Sequence, residues 1–516
     1  MNNLSLRDPS NCVFEVAGQV YRSLDRSYLP HYKMLMRSGL YAKLIEEGLL
    51  IPHEELDQGA AFEAVALQVG AASGAKSTLD SLTDIPSVLG TASELRWLDN
   101  QIIKPERVPF ITYPYEWCFG ELKDAALATL RIQKLAMDFG MSLKDASAFN
   151  IQFYQGRPLL IDTGSFEPYR KDRPWIAYSQ FLRQFLGPLV LMSKVSPELN
   201  KLLLSYSDGL PLNLVRSMVP WYSWLNLSLA GHFIGSSVAQ NSAINGGEAV
   251  AKKAPASVGE RSSAAHTAAL ASPVKMPQEH LYALIDNLSE TVKALKLPRR
   301  KTIWSNYYED NSYTEAGRAE KLKIVESFIA RTQPKVIWDI GANNGLFSEQ
   351  AAKMCPLVVS MDLDSFCVED NYLRCRRAQT ANILPLVVDL MVPTPSAGWS
   401  NKERVGLAQR GPADLIMALA LIHHLSIGNN ISLKELAVRF STLCRYLLIE
   451  FVPKSDVQVK RMLSQREDIF QKYDAASFEN YFTRCFDIVD KKPVPDSDRV
   501  VYLLRSRAEP EAPSPQ

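Results

Sequence analysis

The stretch VIWDIGANNGLFSEQAA, Val336 to Ala352, constrains this chain more than any other. Lys335–Ile340 is an apolar run that predicts a strand, and the residues after Gly345 read as a helix. Between them is a tight turn holding Gly341 and Gly345. Such a turn lets a ligand approach the main chain, and the helix it opens offers unpaired N–H groups. A dinucleotide fingerprint would read GxGxxG. Here the pattern is Asp339-x-Gly341-x-Asn343-x-Gly345, with an acid ahead of the glycines and asparagine in the middle place. Asparagine tolerates positive φ, so the turn survives the exchange. The acid repels a pyrophosphate but suits a ligand that carries an ammonium group.

Further strand-like runs follow in order: Leu357–Asp362, Ile383–Val388, Asp414–Ala420 and Tyr446–Phe451. Helical stretches separate most of them, the alternation expected of a parallel sheet wound on both faces. Two last runs, CFDIVD and RVVYLLRS, are close enough to pair antiparallel at the sheet edge. Asp362 ends the second strand, where a carboxylate can accept both hydroxyls of a ribose. Asp389 ends the third, where it can meet an adenine amino group. Each acid alone also reads as a strand-end cap. Three at the ends of successive strands beside a glycine turn mark a ligand site, because open α/β sheets bind at those ends.

At these residues the sequence resembles the class I S-adenosylmethionine-dependent methyltransferases, over roughly Lys301 to Arg507. VIWDIGANNG is similar to the first motif, VVSMDLD to the second and LPLVVDL to the third. The resemblance implies a Rossmann-like seven-stranded sheet, S-adenosylmethionine as cofactor and methyl transfer from a sulfonium. The fourth strand runs into His423 and His424, and a neutral imidazole there can take a proton from an acceptor. His424 is preferred over His423; alternatively one caps the next helix and the other packs. Glu450 ends the fifth strand, where it either lines an acceptor pocket or pairs with a nearby Lys or Arg. The aromatic run Thr302–Tyr313 is a candidate lid. No Asn/Asp-Pro-Pro-aromatic run follows the fourth strand, which favours an oxygen or carbon acceptor on a small molecule, lipid or glycan.

The glycine turn comes late because another module precedes it. Residues 236–277 are rich in Ala, Ser and Gly and lack aromatics, which predicts a flexible linker between residues 1–235 and 278–510. The first module contains LKDASAFNIQFYQGRPLLIDTGSFE, with Asp145, then Asn150, then Asp162-Thr163-Gly164. Phosphoryl transfer needs a carboxylate near the acceptor hydroxyl, and an amide and carboxylate on magnesium. From Phe110 to Arg183 the chain resembles the protein-kinase-like superfamily. The resemblance implies an α+β module, with Asp145 at the acceptor, Asn150 and Asp162 on magnesium, and ATP as ligand. DAALATLRIQKLAMDFGM reads as the supporting helix, and FITYPYEW resembles the strand and hinge that cup an adenine. Leu-Lys-Asp stands where kinases show His-Arg-Asp or His-Gly-Asp. No glycine-rich loop or strand lysine is evident in residues 1–110, where VFEVAGQVYRSL is the one weak candidate.

A formal net charge of +1 excludes a global electrostatic case for nucleic acid or an anionic membrane. Seven scattered cysteines give neither a disulfide framework nor a zinc array. The start of the chain lacks a signal-peptide pattern, which suits a cytoplasmic setting. Val219–Ala239 is long enough to span a bilayer, but Asn226, His232 and several serines interrupt it, so it reads as a buried or interfacial helix without stable membrane insertion. The joint pattern resembles a bacterial two-part family with nodulation-related members. The reading is a methyltransferase whose kinase-like module positions or modifies the substrate. A regulatory protein with two nucleotide-type pockets and no turnover, or a bifunctional kinase–methyltransferase, competes with it.

Overall fold

The computed structural model describes residues 2–3, 11–16, 18–57, 100–235, 275–298, 314–464 and 466–508. The candidate lid Thr302–Tyr313, and the expected linker up to residue 274, lie outside the described residues.

The first module opens with a five-stranded antiparallel sheet. Its strands are β1 (Asn2–Asn3), β2 (Asn11–Val16), β3 (Gln19–Leu24), β4 (His53–Leu56) and β5 (Gln101–Pro105), in the order β1-β2-β3-β5-β4. Helices α1 (Leu29–Arg37) and α2 (Leu40–Glu46) connect β3 to β4. Below the sheet runs α3 (Phe119–Asp138), a twenty-residue helix whose Leu122, Ala126, Leu130 and Met137 are buried. After it come two small ladders, β6 (Met141–Leu143) with β9 (Phe166–Pro168), and the hairpin β7 (Ile151–Tyr154) with β8 (Arg157–Leu160).

FITYPYEW, Phe110–Trp117, is not the strand expected of it. It is buried irregular chain with one 3₁₀ turn, Pro114–Glu116, and β5 ends ahead of it. Pro109 precedes the run and Pro114 stands inside it, and neither can donate to a ladder. Side chains satisfy its backbone instead: Gln152 Oε1 accepts from Thr112 N at 2.8 Å, and Glu116 Oε2 from Tyr113 N at 3.1 Å. The apolar segment after Val219 breaks into a 3₁₀ turn (Trp221–Leu225), a short helix (Leu227–Ala230) and a π turn (Gly231–Gly235). No helix among the described residues is long and apolar enough to cross a membrane.

Helix α4 (Gln278–Ala294) buries Leu281, Ile285, Leu288 and Val292 along one face. The sequence groups it with the sheet module, but it packs on α3. Lys134 pairs with Asp286 at 2.6 Å, and Tyr282 Oη donates to Asp138 at 2.6 Å.

The second module is a seven-stranded mixed sheet. Helix α5 (Glu315–Thr332) leads into β10 (Val336–Ile340), α6 (Leu346–Ala352) and β11 (Leu357–Asp362). Helix α7 (Ser365–Ala378), β12 (Ile383–Val387), β13 (Ala413–Ala418), α8 (Leu433–Leu443) and β14 (Cys444–Phe451) follow, then β15 (Phe486–Pro493) and β16 (Val500–Ser506). The order is β12-β11-β10-β13-β14-β16-β15, parallel through β14 and antiparallel for the last two. Side chains alternate between two cores, as a strand of period two requires. Ile337, Leu415 and Leu448 enter one core, and Trp338, Ile416 and Leu447 the other.

The second of those cores continues into the first module. Phe110 meets Trp338 edge-on, and Phe153 meets Tyr372 the same way. Gly120 N donates to Glu369 Oε2 at 2.6 Å, and Tyr372 Oη donates to Asp124 at 2.7 Å. A Cβ at Gly120 would stand 2.8 Å from the Tyr372 ring, so this contact requires glycine. The chain between β12 and β13 forms an insert that seals the junction. Its Arg410 is fully buried against Glu116, donates to Ile111 O at 2.8 Å, and leaves Thr394 Oγ1 to donate to Glu116 at 2.6 Å. Paired in this way, two buried charges satisfy each other.

Candidate functional site

A cavity of about 1120 Å³, counting its open mouth, lies at the carboxyl ends of β10 to β13. Asp339, Gly341, Asn343, Asp362 and Asp389 all line it. Gly345 stands one turn behind as the N-cap of α6, with φ +80°. The turn is held by its own acids. Asp362 Oδ2 accepts from Asn343 N at 2.7 Å, and Oδ1 from Asp364 N at 2.9 Å. Gly341 and Asn343 are left-handed, at φ +72° and +53°. A Cβ on Gly341 would also lie 3.0 Å from the Leu421 side chain, so main chain alone faces the cavity here.

Asp339 is buried beneath the turn, and its Oδ2 accepts from Ser348 Oγ at 2.6 Å. Burial pushes its carboxyl up to about 7, an effect the Ser348 hydroxyl opposes and the neighbouring Asp362 charge reinforces. Burial likewise raises Asp362 to about 6, against the pull of its backbone donors. Two carboxyls that give up charge so readily suit a ligand that returns positive charge or hydroxyl donors. Asp389 is half-buried and accepts from Met391 N at 2.8 Å, so it caps its own turn while facing the cavity.

His424 lines the cavity and His423 does not. The His423 ring is buried with its centroid 4.0 Å from that of His424, and its Nδ1 has no hydrogen-bond partner among the described residues. The chain enters a π turn at His424–Gly428, which sends one ring to the wall and the other behind it. Burial lowers His424 to about 4, with Arg499 adding to the effect, so the wall carries a neutral imidazole. Ala420, on the same rim, is held at φ +51°, a backbone strain that recurs at functional sites.

Glu450 takes the second of its two expected roles. It is fully buried, bonds Lys321 Nζ at 2.7 Å and lies 3.8 Å from Arg499, which pairs with Asp456 at 2.8 Å. A charge at the end of a central strand has no water, so it recruits cations from α5 and β16's approach. Lys321 and Arg318 themselves line the cavity, and sequence reasoning missed both. A signal was present: a helix entering a strand through a short turn runs back along it, so its start lies over the strand's end.

The first module has a second cavity, of about 2050 Å³ with its mouth, between its sheet and the loops after α3. Asp145, Asn150 and Asp162 line it together. Asp145 accepts from Gln180 Nε2 at 2.7 Å and Ser147 N at 3.0 Å, and burial raises its carboxyl, helped by Asp162. The magnesium expected on Asn150 and Asp162 does not fit these residues as they stand. Asp162 is ion-paired with Arg22 and accepts from Gly164 N at 2.9 Å and Ser165 Oγ at 2.5 Å. Asn150 Nδ2 turns towards Ser165 Oγ instead, at 3.4 Å. Arg22 sits on β3 within VFEVAGQVYRSL, where a lysine was sought and an arginine overlooked.

An open mixed α/β sheet with a ligand-sized cavity at its carboxyl edge, joined to an α+β module with a cleft of its own, is the class these features define. No family model matches the chain. It belongs to the family of nodulation protein NoeA: the protein of that name from Rhizobium meliloti (strain 1021) is 30% identical over 503 residues, 97% of this chain and 95% of the relative. Among solved structures, N-methyltransferase NodS from Bradyrhizobium japonicum WM9, in complex with S-adenosyl-l-homocysteine, matches 40% of this chain and 100% of its own at 12% identity and TM-score 0.30. Magnesium protoporphyrin IX methyltransferase from Synechocystis PCC 6803, with bound SAM, matches 40% of this chain and 87% of its own at 15% identity and TM-score 0.27.

Proposed function

We propose that the chain is a class I S-adenosylmethionine-dependent methyltransferase, acting on an oxygen or carbon of a small molecule, lipid or glycan. One observation carries this reading: acids from the ends of three successive strands meet around the left-handed glycine turn in a single cavity. Seven strands with a reversed strand inserted beside β14 also agree with the class I resemblance. The residues fit the cofactor. Asp362 suits the ribose hydroxyls, Asp389 the adenine amino group and Asp339 the ammonium, while Arg318 on the same lining suits a carboxylate. When bound, S-adenosylmethionine supplies a methyl group already activated by the sulfonium.

The chain's own work is then alignment and proton management. The neutral ring of His424 can accept a hydrogen bond and a proton from an acceptor at the cavity wall. The Lys321–Glu450–Arg499 network holds α5 and the strand ends in register beneath it. The first module positions the acceptor. The Arg22 pair on Asp162 favours binding there over phosphoryl transfer. The direct test is transfer of label from isotopic S-adenosylmethionine into a lysate of a strain lacking the protein, followed by identification of the product. No labelled product, with bound cofactor demonstrated, would favour the two-pocket regulatory reading.

A further inference from the structure

A third cavity, of about 670 Å³ counting its open mouth, lies at the junction of the two modules. Phe110, and Phe153 and Tyr154 of β7, wall it from the first module. Leu357 of β11, Tyr372 of α7, and Ile383 and Leu384 of β12 wall it from the second. The turn between β7 and β8 also belongs to the lining. A Cβ at Gly156 would stand 3.0 Å from Thr380 O, so this turn lies directly on the chain between α7 and β12.

One group in this lining is half-satisfied. Glu121, in the first turn of α3, lines the cavity and is fully buried. Its Oε2 accepts from Cys118 N at 2.8 Å, but its Oε1 has no hydrogen-bond partner among the described residues. The polar groups around it are engaged elsewhere. Tyr372 Oη donates to Asp124 at 2.7 Å, and Arg376, which also lines the cavity, pairs with the same carboxylate at 3.0 Å. Asn382 Nδ2 donates to Ala352 O at 2.7 Å and to Cys355 O at 2.9 Å. The Cys118 thiol lies beside both Glu121 and Glu369 and is a weak donor. A lone water needs about two to four polar partners, and these commitments leave it mainly Glu121. Burial raises the Glu121 carboxyl well above its ordinary range, and the nearby Glu369 and Asp124 reinforce this, so a ligand that brings positive charge lets it ionise. Phe110, Phe153, Tyr154 and Tyr372 supply four aromatic rings to the same lining. Rings attract a cation through their faces and a carboxylate attracts it by charge, the combination that recognises an organic ammonium. A bare metal ion is less suited, because no cluster of metal-ligating side chains occurs among the described residues.

We propose that the module junction holds a binding site for a compact organic ammonium, with its charge on Glu121 Oε1 and its apolar body among Phe110, Phe153, Tyr154 and Tyr372. A ligand seated there touches both modules at once. This inference depends neither on methyl transfer nor on the cleft of the first module.

The test is titration of the full chain, near neutral pH, with benzylamine and with its uncharged counterpart benzyl alcohol, followed by ligand-observed NMR. Benzylamine should bind at least roughly tenfold more tightly, the effect of one charge-assisted hydrogen bond. Glu121→Gln keeps an acceptor for Cys118 N and should remove that preference while leaving benzyl alcohol unchanged. Should that variant melt early, Phe153→Leu keeps an apolar wall without the ring, and should weaken benzylamine more than benzyl alcohol. No saturable binding of benzylamine, as when water alone fills the cavity, or equal affinities for the two probes would overturn the proposal. So would an undiminished preference in both variants, which would place the ammonium elsewhere, such as among the acids of the cofactor cavity. Titration with S-adenosylhomocysteine in the same preparation keeps the methyltransferase reading separately testable.

Discussion

Truncating Asp362 should separate what this carboxylate does for the ligand from what it does for the turn. Its two oxygens accept from Asn343 N at 2.7 Å and Asp364 N at 2.9 Å, so it holds both ends of the cavity floor. A charge-assisted hydrogen bond contributes about 1.5–3 kcal/mol, roughly ten- to a hundredfold in affinity. Asp362→Asn keeps one acceptor oxygen and should weaken S-adenosylhomocysteine by about that factor. Asp362→Ala removes both ribose contacts and should weaken it by roughly the square of the factor. It should also lower stability by about 1–3 kcal/mol, because two half-buried N–H groups lose a charged acceptor. Calorimetric titration gives the affinities, and denaturant unfolding gives the stability. If both variants fold and bind S-adenosylhomocysteine as the wild type does, the cofactor assignment fails, because Asp362 is the carboxylate that reading gives to the ribose.

Other outcomes follow from the same geometry. Asp339 titrates near 7 when the ligand is absent, and a facing ammonium would lower it, so binding favours the ionised form. Affinity for S-adenosylhomocysteine should therefore fall by up to about tenfold per unit below pH 7 and flatten above it, as titrations between about pH 5.5 and 8.5 would show. His424→Ala should leave that affinity intact and lower turnover by roughly 10²–10⁴-fold. Because His424 titrates near 4, wild-type turnover at saturating cofactor should show no histidine limb around pH 6.5. Glu450→Gln leaves Lys321 and Arg499 buried without their shared anion, and should destabilise the fold by about 3–5 kcal/mol in denaturant melts.

What the sequence made legible was local. The Asp339-to-Gly345 turn, the strand-end acids and the order of strands are written in short-range spacing, and the structure brings those residues into one cavity. The proximity of Asp145, Asn150 and Asp162 was legible for the same reason, and the three line one cavity. The fate of the expected metal was not, because Arg22 reaches Asp162 from a strand 140 residues earlier. Phe110–Trp117 was expected as strand and hinge from a resemblance, and its prolines and side-chain bonds to its backbone give irregular chain instead. Helix α4 shows an amphipathic face but not which surface will cover it. Glu450 presented two chemically sound roles, and only the distance to Lys321 chose between them.

The Glu116–Arg410 pair has a consequence for how such a chain can be divided. Both partners are buried, so parting the modules would strand two opposite charges in apolar surroundings and expose Phe110 and Trp338 with them. Scission of the chain between Gly235 and Lys275 would leave two fragments that still elute as one stoichiometric particle. Helix α4 would stay on the first fragment's surface although it belongs to the second. Swapping either half for a homologous one would succeed only where the acid, the arginine and the small residue at Gly120 were exchanged as a set.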